Sequence, residues 1–201
     1  MPEEKKGKFI AIYGINGIGK TTQVELLVEY LKKQGKNASR LKYPIYDLEP
    51  EGPFIYKYLR DVEFRKNNEL STHKLQKKYA ENRMRYEPIL RERLKNGEWI
   101  VAEDYTGTGI SWGLTWGGKL DYVEDINEDL LKPDMEILMD GPRFLSAIEK
   151  DHRNEMDSER IEICRNFHFL LCDRYGWTKV NAKQKIDKVH SDIVNQIEIL
   201  L

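Results

Sequence analysis

The sequence predicts an α/β fold in which a parallel sheet is covered by helices on both faces. Short apolar runs, such as residues 9–13, 99–102 and 135–139, alternate with longer amphipathic segments. This alternation is typical of a parallel sheet, because the crossover between two parallel strands is usually a helix that packs on the sheet. The chain is 201 residues long, enough for one domain with a sizeable core. We therefore expect a single domain over residues 1–201.

A glycine-rich motif follows the first apolar run. Residues 14–22 read Gly-Ile-Asn-Gly-Ile-Gly-Lys-Thr-Thr and match the pattern G-x-x-x-x-G-K-[ST]. The run at 9–13 has the length and composition of a buried strand, and the apolar residues after the motif recur at helical spacing. Strand, loop and helix thus stand in the order that a phosphate-binding loop requires. A chance match in a glycine-containing turn is the alternative.

The motif predicts a site for the phosphates of ATP and for Mg²⁺. Glycines let the backbone approach a polyphosphate, and the loop amides and the positive end of the helix face it. We expect Lys20 to contact the β- and γ-phosphates during catalysis, and the Thr21 hydroxyl to bind Mg²⁺. The loop residues expected to bind the nucleotide are Asn16, Gly17, Ile18, Gly19, Lys20, Thr21 and Thr22.

The rest of the chain continues the alternation of strands and helices. Pro88 is expected to interrupt or bend a long helix at 72–94, and Asn96-Gly97 ends this helix. Residues 106–118 contain five glycines and two tryptophans, which indicates a loop or kinked helix packed closely against another segment. We expect further strands at 36–43, 99–102, 135–139 and 178–181, and further helices at 55–62, 143–174 and 186–201.

Acidic residues follow two of the predicted strands. Glu103 and Asp104 come directly after the third strand, and Asp140 follows the fourth. In an open parallel sheet, ligands bind beyond the carboxyl ends of the strands, so we expect these acids to lie beside the phosphate loop. Glu103 is expected to act in catalysis and to orient Mg²⁺ or the acceptor; an exposed acid at a strand end is the alternative. Asp104 could equally fill a place in a structural network.

Composition limits the partners and the compartment. The chain has 33 Lys and Arg against 34 Asp and Glu, which argues against general nucleic-acid binding. Cys164 and Cys172 lack the spacing of a metal site and are expected to be structural thiols in a reducing compartment. No apolar run approaches the roughly 18 residues of a membrane-spanning helix, and the N-terminus has no secretory apolar segment. We expect a cytoplasmic protein without a membrane partner.

Segments along nearly the whole chain resemble the thymidylate kinase family of P-loop nucleoside monophosphate kinases. The phosphate loop is the sharpest of them. Tyr79-Ala80-Glu81-Asn82-Arg83 is similar to the family's helix segment whose aromatic residue stacks on thymine and whose arginine contacts the base and the phosphate region. Glu103-Asp104-Tyr105-Thr106-Gly107-Thr108 stands where the family has Asp-Arg-Tyr-x-x-Ser. Other similar segments are Tyr43-Pro44-Ile45-Tyr46, Asp140-Gly141-Pro142-Arg143, His152-Arg153-Asn154-Glu155 and Val180-Asn181-Ala182.

The resemblance implies a P-loop NTPase-type three-layer fold with a mobile lid at about residues 143–160. It also implies transfer of the γ-phosphate of Mg·ATP to a nucleoside 5′-monophosphate, first of all dTMP, and a homodimer formed through helices on one side of the sheet. Arg153 is then the expected catalytic arginine of the lid, because Gly17 supplies none from the phosphate loop, and Ala182 borders the adenine. The residues expected to bind the acceptor are Tyr43, Tyr79, Arg83, Asp104, Tyr105, Thr108 and Trp112.

Several of these side chains have a structural alternative. Tyr79 and Arg83 lie four residues apart and share one helix face, but an aromatic residue there can be core and an arginine can be solvated. Arg153 lies in a charge-rich segment and could be solvated as well. Trp112 could be a packing residue on a glycine-rich surface. The histidines without ligand spacing, expected at the surface or at helix ends, are His152, His168 and His190.

Three positions depart from the family's pattern. Tyr46 replaces the Arg of Phe-Pro-x-Arg, Asp104 replaces the Arg of Asp-Arg-Tyr, and Asn16 replaces an acid often found in the phosphate loop. The first two changes remove cations that would hold the acceptor phosphate. A kinase for a different nucleotide or a deoxynucleoside therefore stays an alternative, as does a nucleotide-binding regulatory protein without transferase activity. Cations nearby that could compensate are Arg60, Arg83 and Arg85.

Overall fold

A computed structural model describes residues 7–144 and 149–201 of the chain. The strands of these residues are β1 (Phe9–Tyr13), β2 (Ala38–Lys42), β3 (Trp99–Glu103), β4 (Met135–Asp140) and β5 (Thr178–Asn181). They form one parallel sheet in the order β2-β3-β1-β4-β5. The predicted α/β fold with a parallel sheet is confirmed.

Helices connect these strands. Their bounds are α1 (Lys20–Lys33), α2 (Glu51–Arg60), α3 (Val62–Asn67), α4 (Thr72–Lys95), α5 (Thr106–Thr115), α6 (Leu120–Asp125), α7 (Ser158–Tyr175) and α8 (Ile186–Ile197), with a 3-10 turn at Glu198–Leu200. The short helices α3 and α6 were not predicted from the sequence.

One predicted helix was wrong in its start, and a predicted interruption of another was wrong. The helix predicted at 143–174 begins only at Ser158, because the Asp157 side chain accepts a hydrogen bond from the Arg160 amide and caps its first turn. Residues 145–148 of that predicted helix, which are also part of the predicted lid, lie outside the described residues. Pro88 lies inside α4, which continues through it.

Both faces of the sheet carry a hydrophobic core. Every residue of β1 and β3 is buried, as expected for central strands covered on both sides. Ile12 packs with Leu27 of α1 on one face, and Ala11 packs with Leu90 of α4 on the other. Burying a side chain of this size contributes about 1.5–3 kcal/mol, so the central strands fix the loops at their carboxyl ends firmly.

The glycine-rich region at 106–118 packs closely against its neighbours, as its composition predicted. Most of it forms α5. A Cβ on Gly107 would overlap the Trp177 ring, and one on Gly113 would overlap Val123. Close packing of this helix places its first turn next to the carboxyl end of β3.

Candidate active site

The phosphate loop connects β1 to α1 at the carboxyl edge of the sheet. Gly14, Gly17 and Gly19 have φ values of 141°, 77° and 95°, a range that glycine adopts at little cost. A Cβ on Gly14 would lie 2.6 Å from the Met139 carbonyl oxygen. No described side chain caps the start of α1 at Gly19, so the first amides of the helix are available to an anion.

The Lys20 ammonium lies inside this loop. Its Nζ donates to the carbonyl oxygens of Gly14 and Ile15 at 2.8 and 3.1 Å, and it lies 3.6 Å from Asp104 Oδ1. Only 6% of the residue is exposed. The loop therefore holds a buried positive charge at the position where a polyphosphate would be bound.

Thr21 and Glu103 meet where the ends of β1 and β3 lie side by side. The register pairs Ile12 with Glu103, and the Thr21 hydroxyl donates to Glu103 Oε1 at 2.9 Å. Lys42 Nζ donates to the same oxygen at 2.9 Å. Burial raises the pKa of Glu103, but the charge and hydrogen bond of Lys42 and the charge of Lys20 outweigh it and lower that pKa below its usual value. Glu103 is thus an anion held next to a hydroxyl.

This pair of oxygens fits the Mg²⁺ that the family resemblance implies. Magnesium prefers hydroxyl and carboxylate oxygens and phosphates. Glu103 Oε2 is buried, and no described group donates a hydrogen bond to it. A carboxylate oxygen left in that state is costly unless a cation reaches it, and Arg40 Nη2 lies no nearer than 3.6 Å.

Asp104 has an unusual backbone conformation. Its φ is 64°, in the left-handed region that side chains other than Asn and Asp rarely enter. The Thr108 hydroxyl donates to Asp104 Oδ1 at 2.8 Å. Burial raises the pKa of Asp104, and the Lys20 charge opposes that rise while Glu103 adds to it. A second carboxyl group is therefore held beside Lys20, where the family's pattern has an arginine.

A cleft of about 620 Å³ extends from the phosphate loop along α4 and α5. It brings together nearly all of the site residues predicted from the sequence, which come from five separate segments of the chain. The predicted residues that line it are Asn16, Gly17, Ile18, Gly19, Lys20, Thr21, Thr22, Tyr43, Tyr79, Arg83, Glu103, Asp104, Tyr105, Thr108, Trp112 and Ala182.

The far end of the cleft is built around Arg83. Arg83 is 4% exposed, and its Nη1 donates to Asn127 Oδ1 at 2.9 Å. Within the described part of the chain, no carboxylate pairs with this guanidinium, and its Nε has no partner. Burial lowers the pKa of Arg83, and the surrounding tyrosines oppose that effect. A buried guanidinium of this kind is suited to an acceptor on a ligand, and Tyr79 offers a ring beside it.

Residues after β4 lie against the phosphate loop. Arg143 Nε donates to the Asn16 carbonyl oxygen at 2.9 Å, and the Phe144 amide donates to the Gly17 carbonyl oxygen at 2.7 Å. The Asn16 side chain in turn donates to Glu155 at 2.8 Å. Arg143 is therefore the arginine of this region that directly contacts the loop in the described structure.

Arg153 lies elsewhere. Its guanidinium lies 3.6 Å from the centre of the Trp116 ring, and that of Arg160 lies 3.8 Å from the same ring. Arg153 lines a second, separate pocket instead of the cleft. Burial lowers the pKa of Arg153. Its catalytic role stays a prediction that requires the guanidinium to leave Trp116.

Some cleft residues were absent from the sequence-based set, and one expectation was wrong. Arg60 was named only as a possible substitute cation; Lys42, Gln76 and Gln184 carried no motif that singled them out. His152 and His168 are 4% and 1% exposed, so the expectation of a surface position fails for them. Other missed residues that line the cleft include Pro44, Glu149, His152, Asn154 and Glu155.

The parallel sheet, the glycine loop at the start of α1, the buried Lys20 ammonium and the Thr21–Glu103 hydrogen bond define a P-loop nucleotide-binding protein. A family model described as "Thymidylate kinase" matches residues 12–193. The chain belongs to the thymidylate kinase family.

Individual relatives agree with this assignment. The thymidylate kinase of Plasmodium falciparum is 28% identical over 203 residues, with 97% of this chain and 91% of the relative covered. The human thymidylate kinase is 28% identical over 198 residues, covering 94% and 89%. The solved structure of a thymidylate kinase from Candida albicans has the same fold, with a TM-score of 0.78, 22% identity and coverage of 96% and 92%.

None of the helices described here is both long and apolar enough to cross a membrane.

Proposed function

We propose that this protein transfers the γ-phosphoryl group of ATP to dTMP and releases ADP and dTDP. The observation that carries this proposal is a single cleft that joins the phosphate loop to the pocket of Tyr79 and Arg83. Donor and acceptor bound at its two ends would meet near Lys20 and Glu103. The names of the relatives support dTMP as the acceptor.

Positioning and charge neutralisation account for most of the catalysis of phosphoryl transfer. The second pKa of a phosphate monoester is about 6, so the dTMP phosphate already carries the negative oxygen that attacks. This reaction therefore needs no general base. Lys20 would stabilise charge on the transferred group, and Arg153 would add a second positive charge once it reaches the cleft.

Mg²⁺ would be held by Thr21 and Glu103, which are 2.9 Å apart. When bound, the ion supplies positive charge to the β- and γ-phosphates. The lowered pKa of Glu103 keeps its carboxylate charged at neutral pH. The donor's adenine would lie beside Ala182, which lines the other end of the cleft with Gln184 and Ile186.

A deoxynucleoside kinase is the second candidate, and Asp104 is the observation that favours it. A carboxylate beside Lys20 repels an acceptor phosphate but not a hydroxyl group. The attacking group would then be a neutral hydroxyl, which needs a base to accept its proton.

One assay separates these functions. The protein is incubated with Mg·ATP and, in separate reactions, with dTMP, dCMP, dGMP or thymidine, and ADP is measured. In the reaction with dTMP, we expect ADP and dTDP to form in equal amounts. ADP formed only with thymidine would establish the deoxynucleoside kinase. Tight ATP binding without ADP in any reaction would point to a regulatory protein.

The same proposal includes one domain over residues 1–201, a homodimer, and a cytoplasmic protein that binds nucleotides and not nucleic acids. The family resemblance supports the homodimer, and α4 exposes the apolar side chains of Met84 and Ile89. Analytical ultracentrifugation at several concentrations tests the oligomeric state. A monomer at all concentrations would exclude the dimer.

A further inference from the structure

Arg60 enters the cleft from the end of α2. Its guanidinium lies over the rings of Tyr46 and Tyr56, 5.0 and 4.4 Å from their centres. Stacking of this kind orients a planar cation and limits its rotation. The residue lines the cleft together with Tyr46 and with Tyr79, which is expected to stack on the acceptor base.

A single carboxylate holds the Arg60 guanidinium in place. Nε and Nη2 donate to the two oxygens of Glu149 at 2.5 and 2.9 Å. Glu149 is the more exposed partner, with 42% of its side chain accessible against 22% for Arg60. The remaining nitrogen, Nη1, is buried, and no described group accepts a hydrogen bond from it. Arg60 thus has donor capacity beyond what Glu149 uses.

Other cations near the cleft are less well placed to bind a phosphate. Lys42 donates to Glu103, at the expected metal site. Arg85 forms a bidentate pair with Glu51 and is outside the residues that line the cleft. Arg83 lies deeper and donates to Asn127, next to the expected base. Arg60 is therefore the guanidinium best placed for a phosphate between the base pocket and Lys20.

We propose that Arg60 binds the 5′-phosphate of the acceptor nucleotide and that Glu149 occupies the same guanidinium until the phosphate displaces it. Two phosphate oxygens can accept the same pair of hydrogen bonds that the Glu149 carboxylate accepts now. A phosphate also carries more negative charge than a carboxylate, and its third oxygen can accept a hydrogen bond from Arg60 Nη1. Tyr46, which stands where the family's pattern has an arginine, supplies no charge itself but stacks on the arginine that does. This inference rests on the proposed acceptor, a nucleoside monophosphate.

The test compares dTMP with thymidine, which lacks the phosphate. Binding of each is measured by calorimetry to the wild type, Arg60→Ala, Arg60→Lys and the matched control Arg85→Ala, whose bidentate pair lies outside the cleft. We expect Arg60→Ala to weaken dTMP binding by about 10- to 100-fold, the range for a lost charge-assisted bond, and to leave thymidine and ATP binding unchanged. Arg60→Lys should restore part of the loss, and Arg85→Ala should behave as the wild type.

Glu149 provides the second arm. Glu149→Gln removes the competing charge and should strengthen dTMP binding several-fold, and this gain should vanish in the Arg60→Ala background. Equal weakening of dTMP and thymidine by Arg60→Ala, or no change with dTMP, would overturn the inference. So would weaker dTMP binding in Glu149→Gln. If the wild type phosphorylates no nucleoside monophosphate, the proposed function itself fails, which the turnover assay shows independently of these variants.

Discussion

The backbone of Gly109 lies directly against the guanidinium of Arg83. A Cβ at position 109 would overlap the Nη2 atom, and its next nearest neighbours are other atoms of the same guanidinium. Gly109 is in the middle of α5, where glycine is otherwise unfavourable. The missing side chain therefore makes room for the buried Arg83 guanidinium from α4. This contact positions Arg83 in the part of the cleft where we expect the acceptor to bind.

The first prediction follows from that contact. Gly109→Ala should push the Arg83 guanidinium from its place and raise the KM for dTMP at least several-fold, while the KM for ATP changes little. Alanine also favours the helix by about 0.5–1 kcal/mol, so global unfolding is not expected to explain the loss. Steady-state kinetics measures it. Ser111→Ala, a buried position two residues along α5, is the control, and an unchanged KM for dTMP in Gly109→Ala would refute the assignment.

Tyr79 is the subject of the second prediction. If its ring stacks on the acceptor base, Tyr79→Ala should weaken dTMP binding by about 1–3 kcal/mol, the range for aromatic side chains that stack on bases. ATP affinity should barely change, because the residues expected to bind ATP belong to the phosphate loop and to the region of Ala182, and not to α4. Calorimetry with each nucleotide tests this. Equal losses for dTMP and ATP would instead indicate damage to the whole cleft.

Sequence patterns located most of the site because its parts are local. The phosphate loop is a continuous motif, and Glu103 and Asp104 directly follow a buried run, so strand order alone brings them together. Tyr79 and Arg83 were named because their segment resembles a helix segment of the thymidylate kinase family, and their spacing of four residues places them on one helix face. The motif, the acids after the strand and the pair on one helix face each lie within a short stretch of the chain, so a single sequence is enough to identify them.

Long-range contacts explain what the sequence did not reveal. Lys42 becomes a site residue because β2 pairs with β3 and places it opposite Glu103. Glu149 and Arg60 meet across 89 positions of the chain, and neither belongs to a motif. Arg153 was chosen by its position in a lid segment, and its stack on Trp116 is a contact between a turn before α7 and the end of α5, which are far apart in the chain. Burial of His168 likewise follows from tertiary packing.

The third prediction concerns Lys20. Lys20→Ala should reduce ADP formation by a factor of at least about 100, since an ammonium at the transferred group is lost. The fold should persist because Lys20 contacts the loop and not the core, and circular dichroism checks this. Near-normal turnover in the variant would remove Gly14–Thr22 as the donor site.

Two arginines are compared in the fourth prediction. Arg153→Ala should lower kcat far more than it weakens ATP binding, because its guanidinium is away from the cleft in this structure and would contact phosphate only during turnover. Arg143→Ala is the informative partner, since Arg143 already touches the phosphate loop. Measurements of kcat and of the ATP dissociation constant decide between them. Unchanged kcat in Arg153→Ala together with a fall in Arg143→Ala would assign the role to Arg143.

The final prediction is a pH dependence of stability caused by His168. Its Nδ1 donates to the Cys164 carbonyl oxygen at 2.9 Å, and its Nε2 is buried without a described partner. Burial lowers the pKa of His168 to about 4, whereas an unfolded histidine has a pKa of about 6.5. Between these values the unfolded chain binds a proton that the folded chain does not. Stability from neutral His168 is therefore present above about pH 6.5 and is lost as the pH falls toward 4.

The expected effect of His168 on stability is large enough to measure by denaturation at two pH values. Between about pH 7.5 and pH 5, this difference in pKa corresponds to a loss of about 2 kcal/mol in the free energy of unfolding. Urea denaturation of the wild type and of His168→Leu at both pH values measures it. Carboxylates contribute equally to both proteins, so the wild type should lose about 2 kcal/mol more than the variant does. Equal losses of unfolding free energy in the two proteins would show that the pKa of His168 is the same in the folded and unfolded states. The assignment of a buried, neutral imidazole would then be wrong.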